Sequence, residues 1–132
     1  MTLGESDPWR WVSLEVVLAV HSRQISEHGG SDGVRDLGLV ESALARPINL
    51  ASFGDPDAAS LAAAYAYGLV SNHGFVDGNK RVAWITARLF LLANGRKLAF
   101  DPFDAIRIME SAAAGQVSEQ EVANWFRVRL AA

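Results

Sequence analysis

Apolar residues recur along this chain at helical spacing, and no stretch of useful length shows the strict alternation of a half-buried strand. Leu14–Glu27 carries Val17, Val20 and Ile25 on one face, with Ser13 placed to cap its start and Gly29-Gly30 to stop it. Gly30 to Arg35 is rich in turn residues. Asp36 or Gly38 is expected to open a short helix over Leu39–Arg46. Pro47 should end it, because proline lacks the N–H of a helix interior and restricts the residue before it. Asn49 to Gly54 then reads as loop. A further helix begins at Asp55-Pro56 or Asp57 and keeps Leu61, Tyr65, Gly68 and Leu69 in register up to Asn72. Its Ala58–Tyr67 stretch combines the best helix former with side chains small enough for close helix packing.

The segment His73–Gly78 interrupts the pattern, since Gly74 and Gly78 both disfavour a helix interior, and a tight loop is expected there. A long helix follows from about Asn79 to Asn94, with Val82, Ile85, Thr86, Leu89, Phe90 and Ala93 as its buried stripe and Gly95 just past its end. Leu98–Phe100 reads as briefly extended. Asp101-Pro102 caps another helix that Gly115 ends, and Ser118 with Glu121 forms a capping box before a last helix over Glu119–Leu130. With no internal repeat or low-complexity tract, the fold class is all-α: a compact single-domain bundle of about six helices over residues 1–132, with its core over about 14–130.

Bulk properties narrow the function classes. A chain of 132 residues fits one domain and can bury roughly two-thirds of its unfolded surface. Zero cysteines exclude disulfides, thiolate metal sites and a cysteine nucleophile. A net charge of −3 carries no global attraction to nucleic acid, so no direct nucleic-acid binding is expected. The apolar runs are too short to cross a bilayer, and Met1–Trp11 is not a secretory signal. A cytoplasmic protein with no membrane association is the expectation.

One stretch concentrates chemistry: His73-Gly74-Phe75-Val76-Asp77-Gly78-Asn79-Lys80-Arg81. Gly78 permits close backbone approach to a ligand. Asn79, Lys80 and Arg81 open the long helix, where free N–H groups and the helix dipole favour an anion. Cations in a first turn oppose that dipole at about 0.3–1 kcal/mol each, a misplacement that a bound phosphate would explain. Asp77 offers one hard carboxylate, the kind of ligand with which Mg²⁺ is held together with substrate phosphates. His73 can take a proton from a hydroxyl near neutral pH. Phe75, between polar neighbours, suits a plug that anchors the loop in the core. Other readings stay open on the residues alone: a turn and helix cap at Asp77-Gly78-Asn79, a solvated face at Lys80-Arg81, a surface histidine, or a transition-metal pair of His73 and Asp77. The Walker pattern is absent.

The same residues resemble the signature of the Fic/Doc family. Typical Fic enzymes carry His-Pro-Phe-x-x-Gly-Asn-Gly-Arg; the Doc branch carries His-x-Phe-x-(Asn/Asp)-(Gly/Ala)-Asn-Lys-Arg. This chain has Gly74 where typical Fic enzymes have proline and Lys80 where they have a second glycine, so it resembles the Doc branch. The likeness extends to His28-Gly29-Gly30, Gly33–Leu39, Glu41–Pro47, Ala62–Tyr65 and Phe90–Gly95. It implies a toxin of a toxin–antitoxin system and a kinase-type transfer from ATP, with Mg²⁺, to a protein hydroxyl; elongation factor Tu is the implied target and a Phd-like antitoxin the implied partner. By the same resemblance His73 would be the general base, Asp77 the metal ligand, and Gly78, Asn79, Lys80 and Arg81 the phosphate-binding set. AMP transfer on the same fold, or a catalytically silent binding module, are the alternatives. Arg35, Asp36 and Glu41 match outside the motif, as caps, ion pairs or contacts to a substrate or antitoxin. His21 and His28 are expected to be structural. The chain carries no Ser/Thr-x-x-x-Glu-Gly/Asn stretch of the self-inhibiting kind, so control is expected from another chain.

Overall fold

The computed structural model describes residues 8–131. Among them are six helices: α1 (Leu14–His28), α2 (Leu37–Phe53), α3 (Ala58–Asn72), α4 (Asn79–Ala93), α5 (Pro102–Ala113) and α6 (Glu119–Arg129). The helix starts follow local chemistry. Ser13, Asp36, Asp57, Asp101 and Ser118 each accept a backbone N–H of the first turn, and Ser118 and Glu121 close the expected capping box. Gly95 and Gly115 come after α4 and α5 at φ 71° each, a left-handed conformation that suits glycine. Residues 98 and 130 form one antiparallel bridge, so the expected extended piece after α4 pairs with the end of α6.

α3 is the axis of the bundle. It packs against α2, α4, α5 and α6, and eleven of its fifteen residues are buried, most of them alanine. Tyr65 is fully buried on it; its hydroxyl accepts the Val12 N–H at 2.9 Å, and burial pushes its pKa up. Trp9 and Trp11 lie on Phe90, each with ring centroids 5.8 Å apart, while the Arg10 backbone exchanges hydrogen bonds with the Asn94 side chain. Residues 9–12 therefore form a strap over the end of α4, a role their aromatic side chains did not disclose in sequence.

Two expectations fail. The buried face of α4 is Val82, Ala83, Thr86, Ala87, Phe90 and Leu91, whereas Ile85 and Leu89 are half-buried and Ala93 is exposed, because packing against α3 turns the helix slightly from the face its largest side chains mark. The other concerns the end of α2. Pro47 does not end α2: the helix runs through it to Phe53, so the loop expected over Asn49 to Gly54 is mostly helix. The reason is tertiary. Pro47 is buried, and the Ala43 carbonyl that lacks an N–H from residue 47 lies against α3, where a Cβ on Gly68 would stand 3.4 Å from it. Gly68 lets the two helices meet at the turn that Pro47 weakens, and Arg46 ties the same turn to Glu119 of α6. Packing of this kind offsets a proline penalty of about 3 kcal/mol that local rules alone would treat as decisive.

Candidate active site

The loop between α3 and α4 holds the nine-residue segment, and a second loop clips it in place. Arg35 and Asp36 donate their backbone N–H groups to the Gly74 carbonyl at 2.8 and 3.0 Å, and Val76 N–H donates to the Gly33 carbonyl at 3.1 Å. Arg35 reaches further with its guanidinium, donating to the carbonyls of His73 (2.8 Å) and Asn72 (3.2 Å). These are carbonyls that the end of α3 leaves without helical partners. Gly74 is the close-packed point of the clip: a Cβ there would meet Val40 Cγ2 at 2.5 Å and Val40 N at 3.1 Å.

His73 ends α3 with φ 50°, ψ 48°, and among the described residues no other non-glycine residue has a positive φ. Such strain persists only where neighbours hold it. Its side chain is exposed, with Nδ1 3.1 Å from the Ser71 carbonyl. A carbonyl only accepts, so Nδ1 carries a proton, and in the neutral ring Nε2 then presents a lone pair. Phe75 is buried, as a plug should be, and stacks on His21 at 4.0 Å and 12°. Asp77 is exposed. Its Oδ1 accepts Gly78 N–H at 2.8 Å and its Oδ2 accepts Ser31 N–H at 3.3 Å, close to Gly30, where a Cβ would approach Oδ2 to 2.8 Å. Two of the roughly four lone-pair sites of a carboxylate stay open.

Among the described residues no group of three or more His, Cys, Asp or Glu side chains could hold a metal. His73 and Asp77 do not share a helix face, as a transition-metal pair at that spacing would. A single exposed carboxylate beside a helix N-terminus fits Mg²⁺, which takes much of its coordination from water and substrate phosphates.

α4 begins differently from the other five described helices: Gly78 is its N-cap, at φ 79°, and no side chain caps it. The Asn79 side chain turns away from the open end. Its Oδ1 accepts Phe75 N–H at 3.1 Å and its Nδ2 donates to the Phe75 carbonyl at 3.0 Å, so it braces the loop and leaves backbone donors to face a ligand. Lys80 and Arg81 are exposed and border a groove of about 420 Å³ between α4 and α5, with Trp84, Phe100, Ile106 and Met109 among its walls. Ile106 and Phe103 stand 55% and 71% exposed on α5, a large apolar display for one helix.

His21 and Arg35 hold the loop, yet neither belongs to the motif. A signal for His21 was present in the sequence: it lies four residues after Val17 and four before Ile25, on the buried stripe of α1. Nothing in the pattern pointed to the carbonyls that Arg35 meets.

The sequence profile of the Fic/DOC family matches residues 11–91. The chain is similar to "Protein kinase doc" of Escherichia phage P1, 33% identical over 119 residues that span 89% of this chain and 94% of that protein. It is also similar to "Toxin Doc" of Mycolicibacterium smegmatis, 47% identical over 81 residues, 60% of this chain and 62% of that protein.

Proposed function

Because this chain belongs to the Fic/DOC family, we propose that it is the toxin of a toxin–antitoxin pair, a cytoplasmic enzyme that moves the γ-phosphoryl group of ATP onto a Thr or Ser hydroxyl of a translation factor. One observation carries this reading. The start of α4 has no side-chain cap and bears Lys80 and Arg81, next to a histidine whose Nε2 is free. Phosphoryl transfer asks for little more than a base, positioning and charge stabilisation.

In this reading His73 Nε2 takes the acceptor proton as the hydroxyl oxygen bonds to the γ-phosphorus. The bond to the β–γ bridging oxygen breaks, and ADP leaves with that electron pair. The amides of Gly78 and the first turn of α4, with Lys80 and Arg81, face the charge on the transferring group. Mg²⁺, when bound, would neutralise phosphate charge, and Asp77 would hold it through the lone pairs its loop contacts leave open. The Asn79 side chain supports the loop and leaves the oxygens to its neighbours.

The partner reading has its own support. The groove between α4 and α5 is a largely apolar trough lined also by Lys80, Arg81 and Glu110, a shape that suits an amphipathic helix whose polar flank sets acidic residues against the two cations and a basic or neutral one against Glu110. A Phd-like antitoxin segment that folds on docking would fill the trough and cover Lys80 and Arg81 together.

The decisive experiment incubates the pure chain with elongation factor Tu and ATP labelled at either the γ or the α position. Label from γ supports the kinase. Label from α would replace it with AMP transfer, and no label from the folded chain would favour a binding module.

A further inference from the structure

We propose that His21, which lies outside the motif and reaches no reacting atom, is a positioning residue: by holding the Asp77 carbonyl it fixes the direction of the Gly78 amide, the first donor of the phosphate site. The inference rests on the reading of the α4 N-terminus as that site.

His21 is 3% exposed on the inner face of α1. Its ring lies parallel to that of Phe75, and its Nε2 is 2.9 Å from the Asp77 carbonyl oxygen. The oxygen only accepts, so Nε2 bears the hydrogen. The Asp77 carbonyl and the Gly78 N–H belong to one planar trans peptide, and the two bonds point in opposite directions. Pinning the carbonyl inward therefore turns the amide outward, where it now meets Asp77 Oδ1 at 2.8 Å.

The next residue makes such a pin necessary. Gly78 has no side chain to resist rotation of the peptide before it, and its φ of 79° lies where glycine moves freely. Rotation of that one plane would aim a carbonyl oxygen, an acceptor, at an arriving phosphate. The His21 ring also underlies the turn, with its Nε2 3.9 Å from where a Gly78 Cβ would stand. Stack and hydrogen bond together hold the plane from the core side, leaving the outer side to the ligand.

The test separates the hydrogen bond from the packing. His21→Phe keeps a flat ring and removes the donor, whereas His21→Gln keeps a donor and removes the ring. For His21→Phe, ATP with Mg²⁺ should bind about tenfold more weakly, the order of one net hydrogen bond. The Gly78 amide resonance should move or broaden, and kcat at saturating ATP should change far less than KM. His21→Gln should recover most of the affinity. In the unmodified chain, ¹⁵N spectra should show His21 as the Nε2–H tautomer. An Nδ1–H tautomer overturns the proposal. So does a His21→Phe protein with the parent's ATP affinity and Gly78 resonance, or a His21→Gln protein impaired as badly as the Phe variant. Should the Phe variant fail to fold, the tautomer and the Gln variant still decide. Should the parent itself not bind ATP, the phosphate-site reading falls, and the Gly78 resonance still judges the role of His21.

Discussion

Replacing Gly74 by Ala should cost this domain a sizeable part of its stability, and the contacts around it set the size. The added Cβ would lie 2.5 Å from Val40 Cγ2, 3.1 Å from Val40 N and 3.3 Å from the Asp36 carbonyl oxygen. None of the three yields easily. Two are backbone atoms at the first turn of α2, and Val40 is 1% exposed with a β-branched side chain that strongly prefers one rotamer in a helix. Overpacking of this kind costs about 1–3 kcal/mol. The backbone of residue 74 must retreat, which stretches the hydrogen bonds from Arg35 and Asp36 to its carbonyl, each worth about 1 kcal/mol. The total comes to about 2–4 kcal/mol, or roughly a 10 °C fall in Tm for a domain of this size. Denaturant titration and thermal melting of Gly74→Ala, Val40→Ala and the double variant provide the assay. Val40→Ala removes the nearest of the three contacts, so the double variant should be more stable than the sum of the single losses allows, by about 1 kcal/mol. A Gly74→Ala protein that melts within a degree of the parent, or a double variant that is merely additive, would refute the reasoning.

Other expectations can be checked on the same material. Thr86 is fully buried on α4 and its hydroxyl is without a hydrogen-bond partner, so Thr86→Val should leave stability unchanged or raise it by about 1 kcal/mol; a loss of that size in denaturant titrations would mean the hydroxyl is satisfied in solution. Asp57 caps α3 and takes a bidentate pair from Arg127, which, with the Ser60 N–H, holds its carboxyl well below the usual range. Its contribution is therefore present above the unfolded value near pH 4 and lost as pH falls through the lower folded value. Asp57→Ala should cost about 1–2 kcal/mol at pH 7, with the gap to the parent narrowing below pH 4; a gap independent of pH counts against the pairing. His73→Ala should fold like the parent and lose about 10²–10⁴-fold in transfer rate, measured with γ-labelled ATP, whereas an unchanged rate removes the base assignment.

The legible part of this protein was written in neighbouring residues. Helix starts at Ser13, Asp57, Asp101 and Ser118 depend on side chains that bond N–H groups two or three positions away, so a short window holds all the physics. The segment from His73 to Arg81 is equally local as a pattern: two glycines, a loop and a helix start sit side by side in sequence and gather its polar groups into nine residues, while its conformation is held by Arg35, the Gly33–Asp36 loop and His21. What remained hidden depends on contacts between distant residues. Local rules stop a helix at Pro47, but burial of that turn against Gly68 carries α2 onward to Phe53. Asn79 stands beside Lys80 and Arg81 in sequence, and only the path of the loop shows that the Phe75 backbone comes within reach of both ends of its amide. His21 and Arg35 meet the motif across 56 and 38 residues of chain, and the strap residue Arg10 meets Asn94 across 84. Periodicity could place His21 on a buried face, but only the packing of α1 against the loop decided that its one ring donor would face the Asp77 carbonyl. A side chain's partner is set by which backbone atoms the whole fold brings within about 3 Å, and sequence spacing carries that information only where the partners are near neighbours.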